Sequence, residues 1–168
     1  MQLQICLETK NKMKKRINLK ILILCFAIVY LVAFIGGIFT SISVNSEWYE
    51  SIKSSITPPD EIFPIVWNIL FFLISISLFL VWTNSSKKEK RKIGYVFGIN
   101  LFLNLLWSFL FFFLRNPTLA FVDLIFLELS IFSMIFVSWK IKKTSAILLI
   151  PYLLWVTFAG ILNYSIVF

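Results

Sequence analysis

Two asparagines and a tryptophan recur at helical spacing inside a strongly apolar stretch. Within "GYVFGINLFLNLLWSFLFFF" (94–113), Asn100, Asn104, Trp107 and Phe111 stand at i, i+4, i+7 and i+11. At about 100° per residue they share a stripe roughly 60° wide. Carboxamides at membrane depth face protein, because hydrocarbon offers them no hydrogen bond. Two uses fit. The amides can bond helix to helix, or they can donate and accept in a pocket beside aromatic faces. A second stretch repeats the theme, with Tyr152, Trp155, Ala159 and Asn163 inside an arc of about 80°. Ala159 leaves room between large rings. Trp67 and Asn68 stand near the start of another apolar run, and Tyr49 or Trp48 can cap the group from a loop. Three segments thus offer indole rings and amides, which suits a flat, aromatic, amphipathic ligand.

Other chemistry is constrained by residue types. The chain has no histidine, which excludes histidine general-base catalysis and histidine ligation of metal or haem. Cys6 and Cys25 are the only cysteines and lack CxxC spacing, so neither a structural disulfide nor a zinc site is expected. No glycine-rich phosphate loop appears. Asp123 and Glu128 lie in one apolar run and are functional candidates as intramembrane acids. Five residues apart on a helix is about 140° of rotation, so they do not form one carboxylate pair. Asp123 is expected near the outer end, within reach of water. Glu128 is expected deeper, facing protein or a wet cavity.

These residues need elements long enough to hold them in a bilayer. The 168 residues are 60% hydrophobic and 18% aromatic, with a mean hydropathy of +0.91. Soluble chains average about 45–50% apolar. Five runs reach the about 20 residues that a spanning helix needs: 21–44, 62–82, 93–114, 118–139 and 144–168. The fold class expected is an all-α integral membrane protein, a bundle of five transmembrane helices. Residues 1–20 form a basic extension and 21–168 one membrane domain. Short connections between spans two to five make neighbours antiparallel. The first run is too long for a signal-peptide core and is read as a retained span. Met13 is an alternative start.

Charge orients the bundle. Lys10–Lys20 holds six basic residues, Asn84–Lys92 five and Lys140–Lys143 three. The segment Asn45–Glu61 carries Glu47, Glu50, Asp60 and Glu61 against Lys53 alone, and Arg115 is single in its loop. By the positive-inside rule the N-terminus is cytoplasmic and the C-terminus outside, in the plasma membrane. The basic clusters flank spans, so anionic lipid headgroups are their expected partner rather than nucleic acid. Trp82 and Trp139 end their spans beside basic loops as interfacial anchors.

Gly94 and Gly98 form a GxxxG pattern roughly 120–160° from the amide stripe. They allow close packing, either within the monomer or across a homodimer. Gly36, Gly37, Thr40 and Ser41 make a similar small-residue patch in the first span. Before the second span runs "TPPDEIFPIVW" (57–67). Pro58 and Pro59 stiffen the loop exit. Asp60 and Glu61 are expected in the first helical turn, where the dipole favours acids.

The stretches "WYESI" (48–52), "TPPDEIFPIVWNILFFL" (57–73), "NLLWSFLFFFLRNPTLAFVDL" (104–124) and "LLIPYLLWVTFAGILNYSI" (148–166), with "GGIFTS" (36–41), carry a resemblance. In this order they are similar to the TspO family, also called tryptophan-rich sensory protein, translocator protein or peripheral benzodiazepine receptor. The resemblance covers 21–168 and has the look of a bacterial-type member. It implies a five-helix bundle, commonly homodimeric, that binds porphyrins, notably protoporphyrin IX, for sensing or transport. It also implies a light-dependent porphyrin breakdown as an alternative, with Trp67 and Trp155 as candidate residues. The pocket positions implied are Trp67, Asn100, Asn104, Trp107 and Trp155, with Tyr49 in the covering loop; spacing adds Tyr152 and Ala159. Ile56 stands where the family loop usually has tryptophan, and Asp60-Glu61 replaces the usual Gly-Trp. No basic residue follows Asn163, so cholesterol recognition is not expected. A purely structural membrane partner, with the asparagines serving packing alone, is the third reading.

Overall fold

The computed structural model describes residues 18–168. The basic cluster before Asn18, the alternative start at Met13 and Cys6 lie outside the described residues. Seven helical segments follow: α1 (Leu19–Ser43), α2 (Glu47–Ile52), α3 (Ile62–Asn84), α4 (Lys87–Ser108), α5 (Pro117–Ile141), α6 (Lys143–Ile147) and α7 (Ile150–Val167). Helix α4 runs on through a π-helical turn, Phe109–Phe113. Among the described residues, five helical stretches are long and apolar enough to cross a membrane: α1, α3, α4 with its π turn, α5, and α6 with α7. The chain is a five-span membrane protein.

Local sequence explains where helices start. The Asn18 side chain accepts from the Ile21 amide at 3.3 Å and caps α1. Ser86 and Glu89 form a reciprocal capping box, so α4 begins at Lys87, inside the basic cluster and earlier than the apolar run suggests. Asn116 caps α5 by accepting from Leu119 N at 3.0 Å, and Pro117 takes the first helical position, where its missing N–H costs nothing. The last span is not one helix. Pro151 lacks the N–H that would bond to the preceding turn, and the chain breaks at Leu148–Leu149 between α6 and α7. Ser77 Oγ lies 2.8 Å from Ser145 Oγ and pins α6 to α3.

The expected first-turn placement of Asp60 and Glu61 is corrected. Helix α3 begins at Ile62 with Glu61 as its N-cap, and Asp60 lies in the turn before it. Asp60 bonds to Lys53 instead of to the helix end. The six residues of α2 form a short helix that hydropathy does not signal, capped by Ser46 Oγ accepting from Tyr49 N at 3.3 Å.

Sequence order is not spatial order. Around the bundle the helices run α3, α1, α4, α5, α7. Helices α3 and α4 are joined only by Ser85 and Ser86, yet α1 wedges between them. Fully buried Val29, Ile74, Phe97, Ile131, Met134 and Tyr152 fill the packed part of the interior. Contact between α3 and α7 is slight. Space for a site remains along that seam, below α2.

Candidate functional site

A cavity of about 580 Å³ lies between the spans and under α2. That size falls in the range of drug-sized ligand pockets, about 300–1,000 Å³. Its wall includes Tyr49, Trp67, Asn104, Trp107, Trp155 and Ala159, six of the eight expected ligand-binding residues. Asn100 and Tyr152 do not line it. Both are wholly buried behind the wall.

The three indoles differ in how they are held. Trp67 on α3 stacks on Phe71, with ring centres 5.3 Å apart, and meets Tyr152 edge-on at 6.2 Å. Trp107 on α4 stacks on Phe111 at 5.2 Å. Its Nε1–H donates to Asn163 Oδ1 at 3.3 Å, and Asn163 Nδ2 donates to the Pro117 carbonyl at 2.9 Å. Trp155 on α7 meets Phe63 edge-on at 5.7 Å. Its Nε1–H is buried with no hydrogen-bond partner. A buried donor without an acceptor is costly, and this one belongs to a residue of the cavity wall.

The amides form a directed chain across α4, α7 and α5. Asn104 Nδ2 donates to the Tyr152 hydroxyl at 3.3 Å. Tyr152 donates to Asn100 Oδ1 at 3.3 Å. Asn100 Nδ2 donates to Ser130 Oγ at 2.8 Å, and Ser130 donates to the Leu127 carbonyl at 2.6 Å. The stripe's helix-to-helix use is realised at both amides, one turn apart. Asn100 bonds helix to helix, while Asn104 does so from the cavity wall.

The covering segment docks through aromatic rings. Tyr49 packs on Phe111 and Phe112, with centres 6.4 and 5.7 Å away, and Trp48 meets Phe111 at 5.9 Å. Lys53 Nζ lies 2.7 Å from Asp60 Oδ2 and 3.0 Å from Glu50 Oε1. It also sits 5.1 Å from the Tyr49 ring centre. The hydrogen bond to Asp60 holds the Lys53 ammonium above the usual lysine range. Burial, then the Asp60 charge, raises the Tyr49 phenol. Lys53 and Asp60 both line the cavity. Sequence reasoning missed them as site residues, because the backbone between them is an irregular loop with no helical or strand period to read.

Neither intramembrane acid belongs to this cavity, and both expectations about them are corrected. Asp123 is buried, not near water, and its Oδ2 has no hydrogen-bond partner. Glu128 faces an outward groove of about 300 Å³ between α5 and α7 rather than the interior. The Thr157 hydroxyl bonds it at 2.6 Å. Rotation along α5 separates the two acids as spacing requires, but the bundle turns Asp123 inward and Glu128 outward.

Gly94 and Gly98 lie on the exposed side of α4, and a Cβ on either would meet nothing within 4 Å. Close packing within the monomer does not use them. Trp82 and Trp139 sit under Lys90 and Lys143, each 5.7 Å from a ring centre, as interfacial anchors would.

The family model described as the TspO/MBR family matches residues 25–168. The chain is 38% identical over 150 residues to the tryptophan-rich protein TspO of Archaeoglobus fulgidus, covering 89% of this chain and 96% of that protein. It is 32% identical over 143 residues to protein CrtK of Rhodobacter capsulatus, covering 84% and 89%. It is 26% identical over 120 residues to the tryptophan-rich sensory protein of Cereibacter sphaeroides, covering 71% and 74%.

Proposed function

Because the chain belongs to the TspO/MBR family, we propose that its central cavity binds a tetrapyrrole of the protoporphyrin IX type, in porphyrin sensing or transport. One observation carries the reading. The cavity is walled by indoles from three helices, and one of them, Trp155, keeps a buried Nε1–H without an acceptor. A flat conjugated ring system stacks on indole faces, and a ligand acceptor atom would satisfy that donor. The Cereibacter sphaeroides relative is named a tryptophan-rich sensory protein, which supports the sensing branch. The protein acts from the plasma membrane, with its N-terminus cytoplasmic and α2 on the outer side, as the basic loops favour. Gly94 and Gly98 offer the homodimer face.

Titration of the protein in detergent with protoporphyrin IX tests the proposal. Saturable quenching of tryptophan fluorescence is expected at one site per chain. Quenching that rises linearly without saturating would remove the site.

Light-dependent breakdown of the porphyrin is a second reading, favoured by Trp67 and Trp155 standing on the same cavity wall. It predicts loss of porphyrin absorbance under illumination that slows in Trp67→Phe or Trp155→Phe protein. Equal rates in these variants would leave binding alone.

A further inference from the structure

We infer that Arg115 is the positioning residue that holds α2 closed over the cavity; the inference rests on reading that cavity as a ligand site. Among the described residues, Arg115 is the one non-glycine residue with a positive φ, at 51°. This left-handed region disfavours residues with a Cβ, and glycine or asparagine usually fills it at a helix end. The backbone has a clear use for the conformation. The π turn closes with Leu114 N bonding Phe109 O at 2.9 Å and Asn116 N bonding Leu110 O at 3.0 Å. Asn116 then caps α5. The chain reverses between two spans in Leu114–Asn116, with Arg115 at the left-handed corner.

Glycine would serve that backbone with less strain. What arginine adds is its side chain. Arg115 Nε donates to Ser43 Oγ at 3.3 Å, and Ser43 is the wholly buried last residue of α1. The guanidinium carbon stands 5.6 Å from the Trp48 ring centre. Trp48 therefore contacts Arg115 and also meets Phe111. One residue later Tyr49 reaches the cavity wall. A single side chain thus joins the end of α1, the lid helix and the α4–α5 corner. Strained residues persist where the surroundings over-determine them, and they concentrate at ligand clamps. The neighbouring π turn is of the kind found at functional sites.

The full chain in lipid nanodiscs tests the clamp without ligand first. Arg115→Gly suits the backbone and deletes only the side chain, so helical circular dichroism should match the parent. Amide exchange across 46–53 should quicken about tenfold, the loss of one cation–π contact and one charged hydrogen bond. Arg115→Lys, which keeps the cation, should fall between. Trp48→Leu should also quicken the exchange, and combining the two should give less than the sum of their effects, because both delete the Arg115–Trp48 contact they share. Protoporphyrin IX, the probe for the second arm, should dissociate faster from Arg115→Gly by a similar factor, with association little changed. Unchanged lid exchange in Arg115→Gly overturns the clamp. Faster exchange with unchanged porphyrin dissociation overturns its role in retaining ligand. Faster exchange together with non-saturable porphyrin quenching in the parent protein keeps the clamp and fails the pocket reading instead.

Discussion

Trp107 donates its indole Nε1–H to Asn163 at 3.3 Å, joining α4 to α7 across the cavity wall. Trp155, on the same wall, has no such partner. The two indoles should therefore fail in opposite ways. Trp107→Phe strands the Asn163 carbonyl oxygen and should destabilise the bundle by about 1–3 kcal/mol. Trp155→Phe removes a donor that bonds nothing in the protein, so its melting temperature should hold or rise. Its porphyrin affinity should weaken about fivefold, the worth of one hydrogen bond. Thermal melts and quenching titrations on both variants check the pair. Parent-like affinity in Trp155→Phe would exclude its N–H from ligand contact.

Tyr152 should behave as a structural residue. It lies behind the cavity wall and relays hydrogen bonds between Asn104 and Asn100. Tyr152→Phe leaves Asn104 short of an acceptor and the wholly buried Asn100 short of a donor. A loss of about 1–3 kcal/mol is expected, read as a lower melting temperature. Asn100→Leu should cost a similar amount, since Ser130 then loses its donor. If either variant melts like the parent while porphyrin binding collapses, the residue contacts ligand after all.

The difference between Asn100 and Asn104 marks where sequence reasoning runs out. Helical period places both on one stripe, and both do face inward. Period says nothing of depth, and the cavity floor falls between them because Tyr152 fills the space beside Asn100. The five spans were legible for a similar reason: length and hydropathy are local properties. The α1 wedge between α3 and α4 was not, because loop length limits reach but does not choose neighbours. Asp123 and Glu128 repeat the point. Their angular separation follows from spacing, while which one faces outward depends on how α5 is turned against α7. The Lys53–Asp60 pair and the Arg115 corner are contacts of irregular backbone, which carries no period to read.

The Lys53–Asp60 pair gives the lid loop a pH dependence with a definite sign. Asp60 holds the folded-state Lys53 above the ordinary lysine value, which is about 10.4. A raised folded value means that the pair's contribution is complete below that ordinary value. It is lost as pH rises through the shifted one. The loop 53–60 should therefore keep constant proteolytic resistance from neutral pH up to about 10 and soften beyond it. Lys53→Met should be soft throughout and flat with pH. Softening of the parent loop near neutrality would contradict the pairing.

Gly94 and Gly98 give the last prediction, because the monomer does not need them. Each would place a Cβ in open space, so the usual reason for a buried glycine is missing. Helix interiors favour alanine over glycine by about 0.8–1.0 kcal/mol. Within a single chain, Gly94→Ala and Gly98→Ala should thus stabilise α4. In a homodimer seated on this face, a larger side chain would hold the two backbones apart. Gly98→Leu should then leave the melting temperature of the dilute monomer at or above the parent value while abolishing self-association. Sedimentation or single-molecule subunit counting in nanodiscs separates the outcomes. A Gly98→Leu protein that still dimerises places the interface elsewhere and leaves these glycines as lipid-facing positions.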